Sequence, residues 1–485
     1  MNTDTHIELA PGFTISRVLT GLWQIADMER DGKELNPLAT SSAMEPYVEA
    51  GFTTFDMADH YGSAELIAGT FKSKNPLSGK AQMLTKWVPE PGKVSPEEIR
   101  AAVETALTRL QMDQIDLMQY HAWHYPDPVW LDTLFELQKL KEEGLIKHIG
   151  VTNFDAAHLR IAVASGVEIV SNQVSYSMVD QRASGEMKVV CDQYNIKLLA
   201  FGTIAGGFLS NRWLGKEEPD ADTLETWSQM KYKRFIDSSC TWDRFQTLLQ
   251  ILNGVAEKHN VSIANIASKY ILDQPHVAGV ILGARLGKSE HIAENQKLFQ
   301  FQLDQEDREE IESIIHTFNS IHGDCGDEYR KPPFLTASGD LSHHVQTFPK
   351  PFEVTDLPNG KQKVVSGTYW EGMAGYCRAR RSGNRILVSG TTATHGDTMI
   401  GGEDPKAQAH FVIDKIEAAI ISLGGTLEDV ERTRIFVNDV RDWEPVARAH
   451  GERFKDIQPA NTLVEAKLVG DGYLVEIEAE AIIQE

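Results

Sequence analysis

Between residues 18 and 284, short apolar runs alternate with helical stretches in one repeating order. VLTGLWQI (18–25), TTFDMA (53–58), AQMLTKW (81–87), IDLMQYHA (115–122), IKHIGVTN (146–153), IVSNQVSY (169–176), IKLLAFGT (196–203) and VAGVILGA (277–284) read as strands. The first intervening helices fall near 41–50 and at 63–73. Ser95, Pro96 and Glu98 form a capping-box start for another, and WLDTLFELQKLKEEG (130–144) ends in the glycine that commonly closes a helix. Eight strand–helix units over roughly 280 residues predict an α/β TIM (β/α)8 barrel. A doubly wound sheet is the rival, but the chain has no GxGxxG.

The rhythm breaks once within the barrel. About 40 residues separate Thr203 from the next helix at 244–260. Trp213, Trp227 and Tyr232 favour a packed lid there, and a surface insertion with its own small core is an equal alternative. Residues 319–350 are rich in Gly, Pro, Ser and Asp without periodicity and read as a tail and linker. Beyond them RILVSGTTA, a long amphipathic helix, ERTRIFVND, a second helix and two alternating strands predict a separate α+β domain. The expected division is 1–318, 319–350 and 351–485.

A net charge of −23 argues against unassisted nucleic-acid binding, which needs basic patches. No apolar run is long enough to span a bilayer, and the N-terminal residues show no secretory pattern. Cys191, Cys240, Cys325 and Cys377 are widely spaced, as in a reduced cytoplasmic protein with neither disulfides nor a zinc site.

Asp56, Tyr61, Lys86 and His121 each fall at or just after the end of a different strand, where catalytic groups of such barrels sit. A lysine cation near a phenol favours the phenolate and lowers its pKa, and a carboxylate keeps that lysine charged and fixed. Such a set suits proton transfer to a carbonyl oxygen while hydride reaches the carbon. No metal is required. GARLGKS looks like a phosphate-binding Walker loop, but it is one residue short between its glycines and reads better as an adenosine-phosphate loop.

GFTTFDMADHYGSAE, LTKW and DLMQYHAW resemble the aldo-keto reductases over about 1–320. The resemblance implies Tyr61 as acid, Lys86 and Asp56 behind it, and His121 orienting the carbonyl. It further implies NADPH (NADP) as cofactor and a small-molecule carbonyl substrate. Thr152, Asn153 and Gln173 would hold the nicotinamide carboxamide, and Phe201 would stack on its ring. Gly283, Arg285, Lys288, Ser289, Glu294 and Asn295 would hold the adenosine phosphate. Trp23, Trp123 and Trp213 are candidate substrate contacts. Thr152 replaces the commoner serine and keeps its hydroxyl; Gly202-Thr203 replaces the usual Ser-Pro.

GYCRARRSGNRILVSGTTA, LGGTLEDVERTRIFVNDVRDW, PANT and VEIEAEA resemble the RidA family of enamine/imine deaminases, which implies a chorismate-mutase-like α+β fold over about 366–485 and a homo-oligomer, best a trimer. Tyr376, Asn461 and Glu478 are the cleft candidates; for Tyr376, Arg378, Arg434 and Glu478, buried or interface polar groups in an inactive domain are an equal alternative. Asn461 stands where deaminase members carry an arginine that grips the substrate carboxylate, and a neutral amide lacks that charged fork. An accessory or assembly role follows. The alternatives are a nucleotide-binding partner protein with slow turnover and an imine hydrolase centred on the second domain.

Overall fold

The computed structural model describes residues 5–27, 32–288, 291–331, 345 and 347–484. A hairpin of β1 (His6–Ala10) and β2 (Phe13–Ser16) comes first. Its Leu9, Phe13 and Ile15 pack with Leu19, Leu84, Leu117 and Leu199 of the barrel interior, closing the N-terminal end. Eight parallel strands then form a closed barrel: β3 (Val18–Gly21), β4 (Thr54–Asp56), β5 (Gln82–Trp87), β6 (Ile115–His121), β7 (Ile146–Thr152), β8 (Ile169–Ser175), β9 (Lys197–Phe201) and β10 (Val277–Gly283). β10 pairs with β3, which closes the ring. Helices cover the outside. The Ser95 capping box is formed, with Glu98 N donating to Ser95 Oγ at 3.2 Å and Ser95 N donating to Glu98 Oε2 at 2.7 Å.

The long stretch after β9 carries a helix of its own, Trp227–Ser239, and it lies over the barrel mouth as a packed lid. Trp213 joins Phe208 and Trp242 in an aromatic cluster at its base. The first part of the expected linker is also built into the barrel. Ile321, Cys325, Glu328, Tyr329 and Arg330 are buried, and Arg330 donates to the backbone oxygens of Ala122, Asn153 and Gly326.

The second unit is a seven-stranded sheet in the order β11 (Val354–Leu357), β12 (Lys361–Val364), β13 (Ala379–Ser382), β14 (Arg385–Thr392), β19 (Val475–Ile482), β17 (Val430–Val437), β18 (Ala460–Glu465). A two-residue pair, β15 (Thr394–His395) and β16 (Thr398–Met399), follows β14. Helices Pro405–Ser422 and Trp443–Phe454 cover one sheet face. This is the α+β fold expected from the sequence.

Helix Pro405–Ser422 is buried along nearly its whole length because it packs on the barrel helix Ala156–Ala164 as well as on its own sheet. Charged groups lock that contact. His158 Nδ1 lies 2.6 Å from Asp155 Oδ1 and His158 Nε2 lies 3.0 Å from Asp414 Oδ2, while Arg453 reaches the other Asp414 oxygen at 2.5 Å. Arg160 pairs with Asp404 at 2.6 Å, and Lys406 with Glu186 at 2.6 Å. Burial opposes the charge on His158, but Asp155 and Asp414 outweigh it and raise its pKa. A raised histidine contributes stability that is complete below its ordinary value of about 6.5 and is lost as pH rises through the folded value. His158→Gln is therefore expected to lower the melting temperature more at pH about 6 than at pH about 9. A stability gap equal at both would contradict the charged-histidine reading.

Candidate active site

Asp56 is the last residue of β4, Lys86 the next to last of β5 and His121 the last of β6; Tyr61 lies in the turn after β4. Parallel register brings these strand ends to one rim. There the Asp56 carboxylate is the hub. Lys86 Nζ donates to its Oδ2 at 2.7 Å, and Gln173 and Gln119 donate to its Oδ1 at 2.7 and 3.1 Å. Lys86 also donates to Met57 O at 2.8 Å and lies 5.3 Å from the Tyr61 ring centre. Burial, opposed by Asp56, holds Lys86 below its ordinary pKa.

Tyr61 departs from the expectation that Lys86 lowers its pKa. Burial first, then the Asp56 charge, push this phenol well above its ordinary range. The reason is geometric: the ammonium is oriented by Asp56 and Met57 O, and the nearby carboxylate opposes a phenolate. Tyr61 is thus held as a protonated donor. His121 is kept neutral by burial and by Arg330, with its pKa well below the usual value. Its Nδ1 makes a long 3.4 Å contact to Thr152 O, and its buried Nε2 has no partner among the described residues. Only the tautomer with the proton on Nε2 can donate to a substrate carbonyl oxygen, and that tautomer gives up the long Nδ1 contact to Thr152 O, which a neutral ring makes as a hydrogen bond only with its proton on Nδ1.

These groups line a cavity of about 1340 Å³. That exceeds the roughly 300–1,000 Å³ of a drug-sized ligand pocket and suits a dinucleotide together with a small substrate. Trp23 stands edge-on to Tyr61 at 5.0 Å, and Trp123 edge-on to His121 at 4.5 Å. Trp213 lines the lid side. Thr152, Asn153, Gln173, Phe201, Gly283, Arg285 and Lys288 border the same cavity. Asn153 has φ 59°, and its buried Oδ1 lacks a partner among the described residues. That orphan acceptor, the accessible Phe201 ring and the two bordering cations suit a nicotinamide, its stacking face and a nucleotide phosphate. At Gly283 a Cβ would meet the Gln24 side-chain amide at 2.2 Å, so a larger residue there would displace that amide from the cavity wall.

Two expected cofactor contacts stand apart. Glu294 is engaged by Lys297 at 2.8 Å, and neither Glu294 nor Asn295 borders the cavity. Ser289 lies outside the described residues. Conversely, Gln24, Lys231 and Tyr329 border the cavity without having been singled out from the sequence. The aromatic-charged run DEYR between Gly326 and Pro332 was the available signal for the last of these.

In the second unit the expected cleft is not assembled within one chain. Glu478 and its contact partner Arg434 lie on the open sheet face. Asn461 Nδ2 instead donates to Thr433 Oγ1 at 2.9 Å, and Thr433 is buried beneath the helices. Tyr376 contacts Arg378, whose guanidinium bonds Gly390 O and Thr391 Oγ1. Alternating strand geometry puts Asn461 and Glu478 on opposite faces.

The family model described as "Aldo/keto reductase family" matches residues 17–316. The chain belongs to the aldo/keto reductase family. With that it is an oxidoreductase. "Probable aldo-keto reductase 1" of Glycine max is 26% identical over 315 residues, covering 62% of this chain and 85% of the relative. The structure of the glycerol dehydrogenase AKR11B4 from Gluconobacter oxydans matches the fold with a TM-score of 0.55 at 23% identity, covering 65% of this chain and 96% of that one. A second family model, "Endoribonuclease L-PSP", matches residues 370–483, the region with RidA resemblance. There "Uncharacterized protein SCO2049" of Streptomyces coelicolor is 37% identical over 121 residues, 25% of this chain and 90% of the relative. Among the described residues no helix is long and apolar enough to cross a membrane.

Proposed function

We propose that this aldo/keto reductase reduces a small carbonyl compound with NADPH. The observation that carries the reading is the buried Asp56–Lys86 pair beside protonated Tyr61 and the unpartnered His121 Nε2 on one cavity wall. When bound, the reduced nicotinamide supplies hydride to the carbonyl carbon. Tyr61 donates its proton to the carbonyl oxygen, and His121 positions that oxygen through Nε2. As negative charge forms on Tyr61, the Lys86 ammonium steadies it, and Asp56 keeps the ammonium in place. Asn153 and Gln173 hold the carboxamide and Phe201 supports the ring. The Trp23 and Trp123 rings keep water from the reacting atoms. Purified protein then consumes NADPH only when a carbonyl compound is present.

Arg285 and Lys288 are exposed cations bordering the cavity, suited to a 2′-phosphate. NADPH is expected to bind more tightly than NADH, and Arg285→Ala to weaken NADPH several-fold with little effect on NADH. Equal affinities for the two cofactors in wild type would count against this choice.

The second unit serves assembly. Leu387, Val464 and Ile482 are exposed on the open sheet face, a surface that closed association of three copies would cover. Light scattering should report a trimer, reduced to smaller species by Leu387→Arg with Val464→Glu. With Asn461 facing Thr433, no ammonia release from amino-acid-derived enamines is expected. A monomeric wild type, or brisk ammonia release, would refute this role.

A further inference from the structure

We infer that the substrate of this pocket carries a carboxylate close to its carbonyl group, held by Lys231 and Tyr329. The inference rests on the reductase reading and narrows its substrate class to short oxo acids. Lys231 comes from the lid helix and Tyr329 from the segment after the barrel, and both border the cavity that holds Tyr61 and His121. The Tyr329 ring stands edge-on to the His121 ring at 5.6 Å, and Lys231 Nζ lies 4.4 Å from the centre of that same Tyr329 ring. One aromatic ring therefore separates the carbonyl-orienting histidine from a buried ammonium.

Both groups have donor capacity left over. An ammonium has three N–H donors. Among the described residues Lys231 uses one on Tyr329 Oη at 2.7 Å and a second, long one on Glu328 Oε1 at 3.4 Å. Because Tyr329 Oη accepts from Lys231, its own proton remains to be donated. Burial holds that phenol far above its ordinary pKa, so the proton stays. Two adjacent donors, one of them charged, match the two oxygens of a carboxylate.

The surrounding charges favour an anion. Glu328 is held more closely by Arg182, at 2.8 Å, and Arg182 also binds Asp180 at 2.7 Å. Arg330 adds a buried cation whose bonds go to carbonyl oxygens. The carboxylates nearer the reacting atoms are engaged, Asp56 by Lys86 and Asp59 by His60. Glu225, on the cavity's lid side, faces Arg212 at 4.0 Å. The rings of Phe201, Tyr232, Phe235 and Tyr329 lie 4.4–5.7 Å from the Lys231 ammonium and exclude water from it. An ion in such surroundings discriminates strongly between a charged and a neutral partner. In the reaction the carbonyl carbon gains hydride and its oxygen gains the Tyr61 proton, so the oxo acid leaves as the hydroxy acid with its carboxylate unchanged.

The test uses the full chain with NADPH and matched substrates: glyoxylate, pyruvate and phenylglyoxylate, each beside its methyl ester. The readout is the acid-to-ester ratio of kcat/KM. Lys231→Met is expected to lower this ratio about tenfold or more, chiefly through KM for the acid. Tyr329→Phe, which keeps the ring against His121, is expected to lower it several-fold. NADPH affinity, measured by fluorescence titration, reports whether either variant has damaged the fold. Equal losses on acid and ester would mean that Lys231 only tethers the lid, and would overturn the inference. So would a ratio unchanged in both variants. Turnover of neutral aldehydes without turnover of any oxo acid overturns it while leaving the reductase reading intact. No turnover of any carbonyl compound removes both.

Discussion

Tyr61→Phe is expected to abolish carbonyl reduction while leaving NADPH affinity nearly unchanged. Phenylalanine keeps the ring that packs against Trp23 and His60 at 5.0 and 4.9 Å and removes only the hydroxyl. The phenol is the protonated donor at the cavity wall, and a positioned general acid contributes roughly 10²–10⁴-fold. The residues suited to hold the cofactor, Asn153, Phe201, Gly283 and Arg285, are contributed by other strands. The loss should therefore fall on kcat and not on the NADPH dissociation constant. Activity within twofold of wild type would remove Tyr61 from the mechanism.

Lys86→Met is expected to damage stability and activity together, and a second substitution should separate the two. Lys86 and Asp56 are both about 5% exposed at the side chain and lie 2.7 Å apart. Removing one partner of a buried pair leaves an uncompensated charge, at a cost of about 3–5 kcal/mol. Asp56 would keep its bonds from Gln119 and Gln173, which place the cost toward the lower end. Replacing Asp56 by Asn in the same chain removes the stranded charge. The double variant should recover most of the lost melting temperature and none of the lost reduction. Recovery of activity with stability would show the pair to be structural alone. A Lys86→Met protein as stable as wild type would show the pair to be solvated.

The barrel was legible because its period is strong and local. Eight apolar runs with helices between them permit few arrangements, and the strand-end positions of Asp56, Lys86 and His121 follow from that periodicity. The cap at Ser95 was equally local. What the sequence hid depends on contacts between distant segments. Arg330 and Tyr329 sit in a stretch whose Gly, Pro and Asp content reads as linker. Its burial comes from docking on β6 and β7, through Ala122 O and Asn153 O, which no periodicity encodes. Lys231 sits beside Tyr232 in the loop whose aromatics favour a packed lid, but nothing in the sequence singles out its ammonium as one the lid turns inward. The raised Tyr61 pKa is likewise tertiary: burial is its main cause and the Asp56 charge the next, where residue types alone suggested a lysine acting on a phenol. In the second unit, Asn461 and Glu478 matched the motif in order, but the pleat sends them to opposite faces.

The role of the domain contact follows from its position. Asp155 caps the helix that begins three residues after Asn153, and its carboxylate binds His158, which binds Asp414 of the second unit. The second unit thus buttresses the helix that follows the Asn153 loop at the cavity, whatever its own chemistry.

The most direct measurement is the rate of NADPH absorbance loss by the purified full chain across a panel of aldehydes, ketones and oxo acids, with Tyr61→Phe run alongside. The account predicts carbonyl-dependent oxidation of NADPH, matched mole for mole by alcohol, in wild type and its near-complete loss in Tyr61→Phe. Oxidation that is independent of any carbonyl, or equal in the two proteins, would contradict it.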